Sequence, residues 1–125
     1  MRVQYSFWPG ESGLDAWDVA KLIELSSGLT VGNVALATIG DVDSNYWFSD
    51  GHSEPTVRAI VEHVQLILDI DRSYPILLAP DGRVMDGMHR IAAALLRGDS
   101  TIEAVRLPVL PLPDYRNCKP ADLAY

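Results

Sequence analysis

The densest chemistry in this 125-residue chain lies in residues 84–94, VMDGMHRIAAA. The letters predict a strand ending at Met85, a tight Asp86-Gly87 turn, and a helix with His89 and Arg90 in its first turn. The leading N–H groups of a helix lack intrahelical partners and carry partial positive charge, so such a start suits an anion. Gly87 lets the backbone approach a ligand closely. Arg90 can fork onto phosphate oxygens, and His89 can donate to them or move a proton. A plainer reading stands beside this one. In it Asp86 is an N-cap, Gly87 a turn residue and Arg90 a solvated base.

The elements that must position this turn follow from pattern. Residues 3–8 (VQYSFW) predict a short strand closed by Pro9-Gly10. Ser12 or Asp15 can cap a helix over residues 14–25, with Leu14, Trp17, Leu22, Ile23 and Leu25 on one broad face and Gly28 as its stop. Residues 33–39 (NVALATI) read as a buried strand, followed by a loop over residues 40–53. A second helix is capped by Ser53, has Pro55 in its first turn, and places Val57, Ile60, Val61, Val64, Ile67 and Leu68 at helical spacing. Residues 74–79 (YPILLA) and 83–85 predict a hairpin around Pro80-Asp81-Gly82. A third helix over Met88–Arg97 ends at Gly98, and residues 101–107 (TIEAVRL) alternate as a final strand. Pro108, Pro111 and Pro113 then enforce an extended tail over residues 108–125 that packs on the surface or frays. The expected class is α/β (α+β): one domain over residues 1–125, with a small mixed sheet and packed helices.

Composition narrows the function. Apolar residues make up 48% and charged residues 22% of the chain, which are globular proportions. Ten bases against seventeen acids give a net charge of −7. That balance argues against gripping nucleic acid through its phosphates, which needs clustered Lys and Arg. Residues 1–57 hold eight acids against Arg2 and Lys21, so the positive charge is concentrated in the second half, mostly as Arg. Cys118 is the only cysteine, which excludes an intramolecular disulfide and a Cys-based metal site within one chain. The N-terminus lacks the apolar run of a signal peptide and no apolar run is long enough to span a membrane, so a reducing, cytoplasmic location is expected.

Residues 81–107, DGRVMDGMHRIAAALLRGDSTIEAVRL, resemble the signature segment of the ParB/sulfiredoxin-like superfamily, also labelled "ParB-like nuclease". With residues 33–39, 55–68 and 75–79 matching the preceding strand, helix and strand, the resemblance covers about 75 of the 125 residues. It implies a nucleotide bound by its phosphates, ATP or CTP with Mg²⁺, in a cradle made by Gly87, His89 and Arg90. It also implies further phosphate contacts from the preceding helix, where Thr56 and His63 stand at matching places and Ala59 cannot contribute. Sulfiredoxins carry a reactive Cys directly before the His-Arg pair. Met88 stands there instead, and a thioether is not a thiolate nucleophile, so sulfiredoxin activity is rejected. ParB proteins continue into a DNA-reading helix-turn-helix domain, and these 125 residues hold no counterpart.

The resulting expectation is a nucleotide- or phosphate-binding domain. Should it be an enzyme, nucleotide hydrolysis or phosphoryl transfer fits, with Arg90 and the helix N-terminus stabilising phosphate charge and Asp86 or His89 as base. The alternatives are a catalytically silent protein-interaction module, with a protein partner or a second copy, and a nuclease, which −7 disfavours. A metal site from His63, His89 and Asp86 lacks the i, i+3/i+4 His–carboxylate pattern. His63, on the border of its helix's apolar stripe, reads as a hydrogen-bonded, half-buried residue or as a site residue, and His52 as a loop residue. Tyr46-Trp47-Phe48 reads as a plug over the sheet or as a base-stacking lid.

Overall fold

The computed structural model describes residues 2–49 and 53–125, so His52 lies outside the described residues. Strands β1 (Tyr5–Pro9) and β2 (Leu14–Asp18) form an antiparallel hairpin, its turn closed by the Gly10 N–H donating to the Gly13 carbonyl at 2.8 Å. The helix expected from residue 14 therefore begins later, as α1 (Val19–Ser26). Its cap is Asp18, whose carboxylate accepts from the Ala20 N–H, in place of Ser12 or Asp15. The residues before it are strand because β2 is paired on both edges, with β1 and with β7 (Tyr115–Cys118). Two ladders outweigh an ambiguous apolar spacing.

The proline-rich tail is thus built into the fold. Trp17 Nε1 donates to the Pro111 carbonyl at 2.9 Å. The Asp114 carboxylate accepts from the Asp18 N–H at 2.7 Å and pairs with Lys21 at 3.1 Å. The three-stranded sheet β1-β2-β7 departs from the sequence expectation, because two of its strands read there as helix and tail.

The second sheet has the order β3-β6-β4-β5. β3 (Gly32–Ala35) pairs antiparallel with β6 (Thr101–Arg106), which runs parallel to β4 (Ile76–Leu78), and β4 pairs antiparallel with β5 (Val84–Asp86). Residues 33–39 are accordingly not one buried strand. β3 is a largely exposed edge that stops where β6 begins, and a 3₁₀ turn at Leu36–Thr38 sends Leu36 and Ile39 inward. The structure is α+β, with three α-helices and two sheets among the described residues.

Alternation along the central strands makes two cores. Ile76, Leu78, Val84 and Ala104 face α3 (Met88–Arg97) and the Leu36–Ile39 turn, where Met88, Ile91 and Ala94 meet them. Leu77, Met85 and Val105 face the other way, onto Trp8, Trp17 and Leu22. The short apolar run of β4 is therefore buried on both faces.

Helix α2 (Val57–Asp69) is different. Its cap is Thr56, whose Oγ1 accepts from the Ala59 N–H at 3.1 Å, not Ser53, and none of its residues is fully buried. It packs on α3. Among the described residues no helix is long and apolar enough to cross a membrane.

Candidate functional site

The turn between β5 and α3 is where the sequence placed it. Asp86 ends the strand, Gly87 adopts φ +108°, and Met88 opens the helix with no side chain capping it among the described residues. The left-handed φ suits glycine. A Cβ at Gly87 would lie 2.7 Å from Ile76 Cγ2 and 2.9 Å from Arg90 Nη2, so the turn is also tightly packed.

Arg90 is held from two sides. Its Nη2 pairs with Asp86 Oδ2 at 2.8 Å, and its Nη1 donates to the Tyr74 and Pro75 carbonyls at 3.1 Å each. Its side chain is only 12% exposed. The plain solvated-base reading of Arg90 fails, and so does Asp86 as a helix cap: the pair braces the turn against the segment entering β4.

His89 meets His63 of α2, with His63 Nδ1 and His89 Nε2 2.8 Å apart. The ring centroids are 5.1 Å apart and the planes 17° from parallel. The centroid separation is the N···N distance plus two ring radii, so the imidazoles lie edge to edge, one donating and the other accepting. Trp47 lies flat over both, at 4.3 Å from His63 and 4.8 Å from His89, and Phe48 meets His63 edge-on. Burial, with His63 alongside, pushes the His89 pKa down to about 4, and burial lowers that of His63. At neutral pH His89 is therefore an uncharged hydrogen-bonding group. Tyr46, beside Trp47, donates to the Val84 carbonyl at 3.3 Å, and burial raises its phenol far above the ordinary value.

This pair titrates with a definite sign. The unfolded chain protonates its histidines near pH 6.5, while the folded chain resists until about pH 4 at His89. The unfolded state binds more protons in that interval, so stability is complete above about pH 6.5 and declines as pH falls toward 4. A His63→Gln, His89→Gln variant is expected to show a flatter stability profile between pH 7 and 4 in urea titrations. An unchanged profile would exclude the pair as its source.

The sequence-predicted residues divide. Asp86, Gly87, His89 and Arg90 line one open groove of about 680 Å³, together with Tyr46, Trp47 and Tyr74. His63 is brought to this group through His89. Thr56 is the α2 cap and is not among the groove residues. Trp47 joins the site without having been singled out from its aromatic neighbours; its contact with both histidines depends on tertiary packing that no local spacing encodes. Cys118 lies in β7, where its thiol donates to the Leu14 carbonyl at 3.2 Å and burial raises its pKa. Among the described residues no three His, Cys, Asp or Glu side chains form a metal-holding group.

Similarity to known proteins is confined to a short stretch. Over 46 residues, 35% of this chain, the sequence is 44% identical to the transcriptional regulator NovG of Streptomyces niveus. No family model matches the chain, and no solved structure does. The match spans 14% of the regulator's length, so what the chain shares with it is one segment of a much longer protein.

Proposed function

We propose that the chain is a ParB/sulfiredoxin-like domain that binds a nucleotide through its phosphates, in the reducing cytoplasm. The observation that carries this is the groove of about 680 Å³ set against the N-terminus of α3, which no side chain caps among the described residues, with Gly87, His89 and Arg90 on its wall. Its volume falls within the range of small-molecule sites, roughly 300–1,000 Å³. The α3 N–H groups and Arg90 would hold the phosphates, and Tyr46, Trp47 and Tyr74 offer aromatic surface for a base. Asp86 has one carboxylate to offer Mg²⁺, which fits an ion that is bound mainly through phosphates. Should hydrolysis follow, Asp86 or His89 would be the base, with His89 weakened in that role by the burial that lowers its pKa to about 4.

A second reading rests on a separate observation. The outward apolar side chains of α2 are exposed, which favours a protein-interaction module. The partial likeness to a transcriptional regulator is compatible with either role inside a regulatory assembly.

Thermal shift separates them. With Mg²⁺ and CTP, ATP, ADP or GTP, the right nucleotide at about 100 times its Kd is expected to add about 2.7 kcal/mol of stability. No shift with any of the four, together with an anion-free turn in crystals grown from sulfate, removes the nucleotide reading.

A further inference from the structure

We infer that Ser6 reads the base of the nucleotide, through a hydroxyl that the protein buries and leaves unpaired. This rests on the nucleotide reading of the groove. Ser6 is 6% exposed and is the polar residue that the fold buries among the described residues. Its Oγ is shut away from water and meets no hydrogen-bond partner there. Buried hydroxyls are ordinarily paired, because removing one from water without a partner costs stability. Ser6 also lines the groove of about 680 Å³, along with Met85, Asp86 and Gly87. An unmet polar group and a cavity wall thus coincide at one residue.

The strand explains why the hydroxyl has no partner. Along β1, Ser6 and Trp8 turn inward, while Tyr5 and Phe7 are half-buried on the other face. Trp8 joins the core with Met85, and across the ladder Ser6 faces Trp17. Each of these two indoles has a single donor, and both are spent elsewhere, on the Val84 and Pro111 carbonyls. The surroundings also select the part of the ligand. Trp8, Trp17 and Met85 are apolar, and a phosphate set among them would lose its water with no charge in return. Arg90 belongs to the α3 end of the groove, and Arg2 lies four residues before Ser6, over the Tyr125 ring. A base is neutral, and its ring nitrogens and exocyclic groups pair with a hydroxyl as donor or acceptor. Serine turns its hydroxyl between staggered positions about one bond, so it can present it to an occupant of the groove. A base without a matching group leaves that hydroxyl unmet in the complex, which is how one buried polar group discriminates.

Calorimetric titration of the parent and of Ser6→Ala tests this. Each is titrated, with Mg²⁺, against CTP, ATP, ADP and GTP, and against inorganic tripolyphosphate as a ligand without a base. Ser6→Ala removes an unpaired hydroxyl at nearly constant volume, so the free variant is expected to melt about 3 °C above the parent. It is expected to bind the preferred nucleotide about tenfold more weakly, with a narrower margin over the other three, and tripolyphosphate within about twofold of the parent. A variant no more stable than the parent shows that the hydroxyl is satisfied within the fold, and overturns the proposal. An unchanged nucleotide affinity overturns it too, as does an equal loss for tripolyphosphate, which would move the hydroxyl's role to the phosphates. These three results leave the nucleotide reading standing. A parent that binds none of the four nucleotides removes that reading, and the proposal with it.

Discussion

Gly87→Ala is expected to destabilise the protein by about 3 kcal/mol, lowering its melting temperature by roughly 10 °C. Two costs coincide there. The backbone sits at φ +108°, where an L side chain is strained, and the new methyl would press on Ile76 and Arg90. Neither neighbour yields freely: Ile76 is fully buried in the core, and Arg90 is tied at both terminal guanidinium nitrogens. Gly98, at the other end of α3, separates the two costs. It has φ +79° and nothing within 4 Å of a built Cβ, so Gly98→Ala isolates the backbone cost at about 1 kcal/mol. Urea denaturation of both variants gives the difference. Equal losses at the two glycines would refute close packing as the reason for Gly87.

Arg90→Ala is expected to cost about 3 kcal/mol before any ligand is added. It strands Asp86 in a half-covered position and leaves the Tyr74 and Pro75 carbonyls without their donor. Arg90→Lys is expected to recover part of this, because one ammonium cannot reach acceptors on two sides as the planar fork does. The nucleotide shift must then be measured against each variant's own baseline. If Arg90 both braces the turn and holds phosphate, Arg90→Lys keeps most of the fold and loses most of the shift. If Arg90→Ala matches the parent's stability and loses only the shift, the brace has no energetic weight and Arg90 serves the ligand alone.

The turn itself was legible because its signals are local. Gly87 before a helix and Gly98 after it are backbone requirements written into single letters, and the buried run of β4 announces itself by composition. What the sequence hid was tertiary. Residues 14–18 carry apolar spacing compatible with either period, and their strand state depends on β1 and β7 lying on both sides. The β7 residues, YRNC, carry no strand alternation and follow three prolines, so nothing local marks them as a ladder partner. The site divides in the same way. Arg90 was visible as a residue but not as a brace, since its partners Tyr74 and Pro75 precede it by a whole hairpin. His63 was visible on its stripe, but its bond to His89 under Trp47 joins three segments that only the fold brings together.

The ladder between β2 and β7 also has a consequence in time. Leu14 and Cys118 are partners 104 residues apart, so closing this sheet is a long-range event that local folding cannot hasten. On a ribosome adding about 5–20 residues per second, the open edge of β2 waits roughly 5–20 s for the strand that covers it. Through that interval the nascent hairpin presents an unpaired strand edge, the kind of template on which neighbouring chains mispair. The strand that removes the hazard leaves the ribosome only after the 104 residues that separate Leu14 from Cys118.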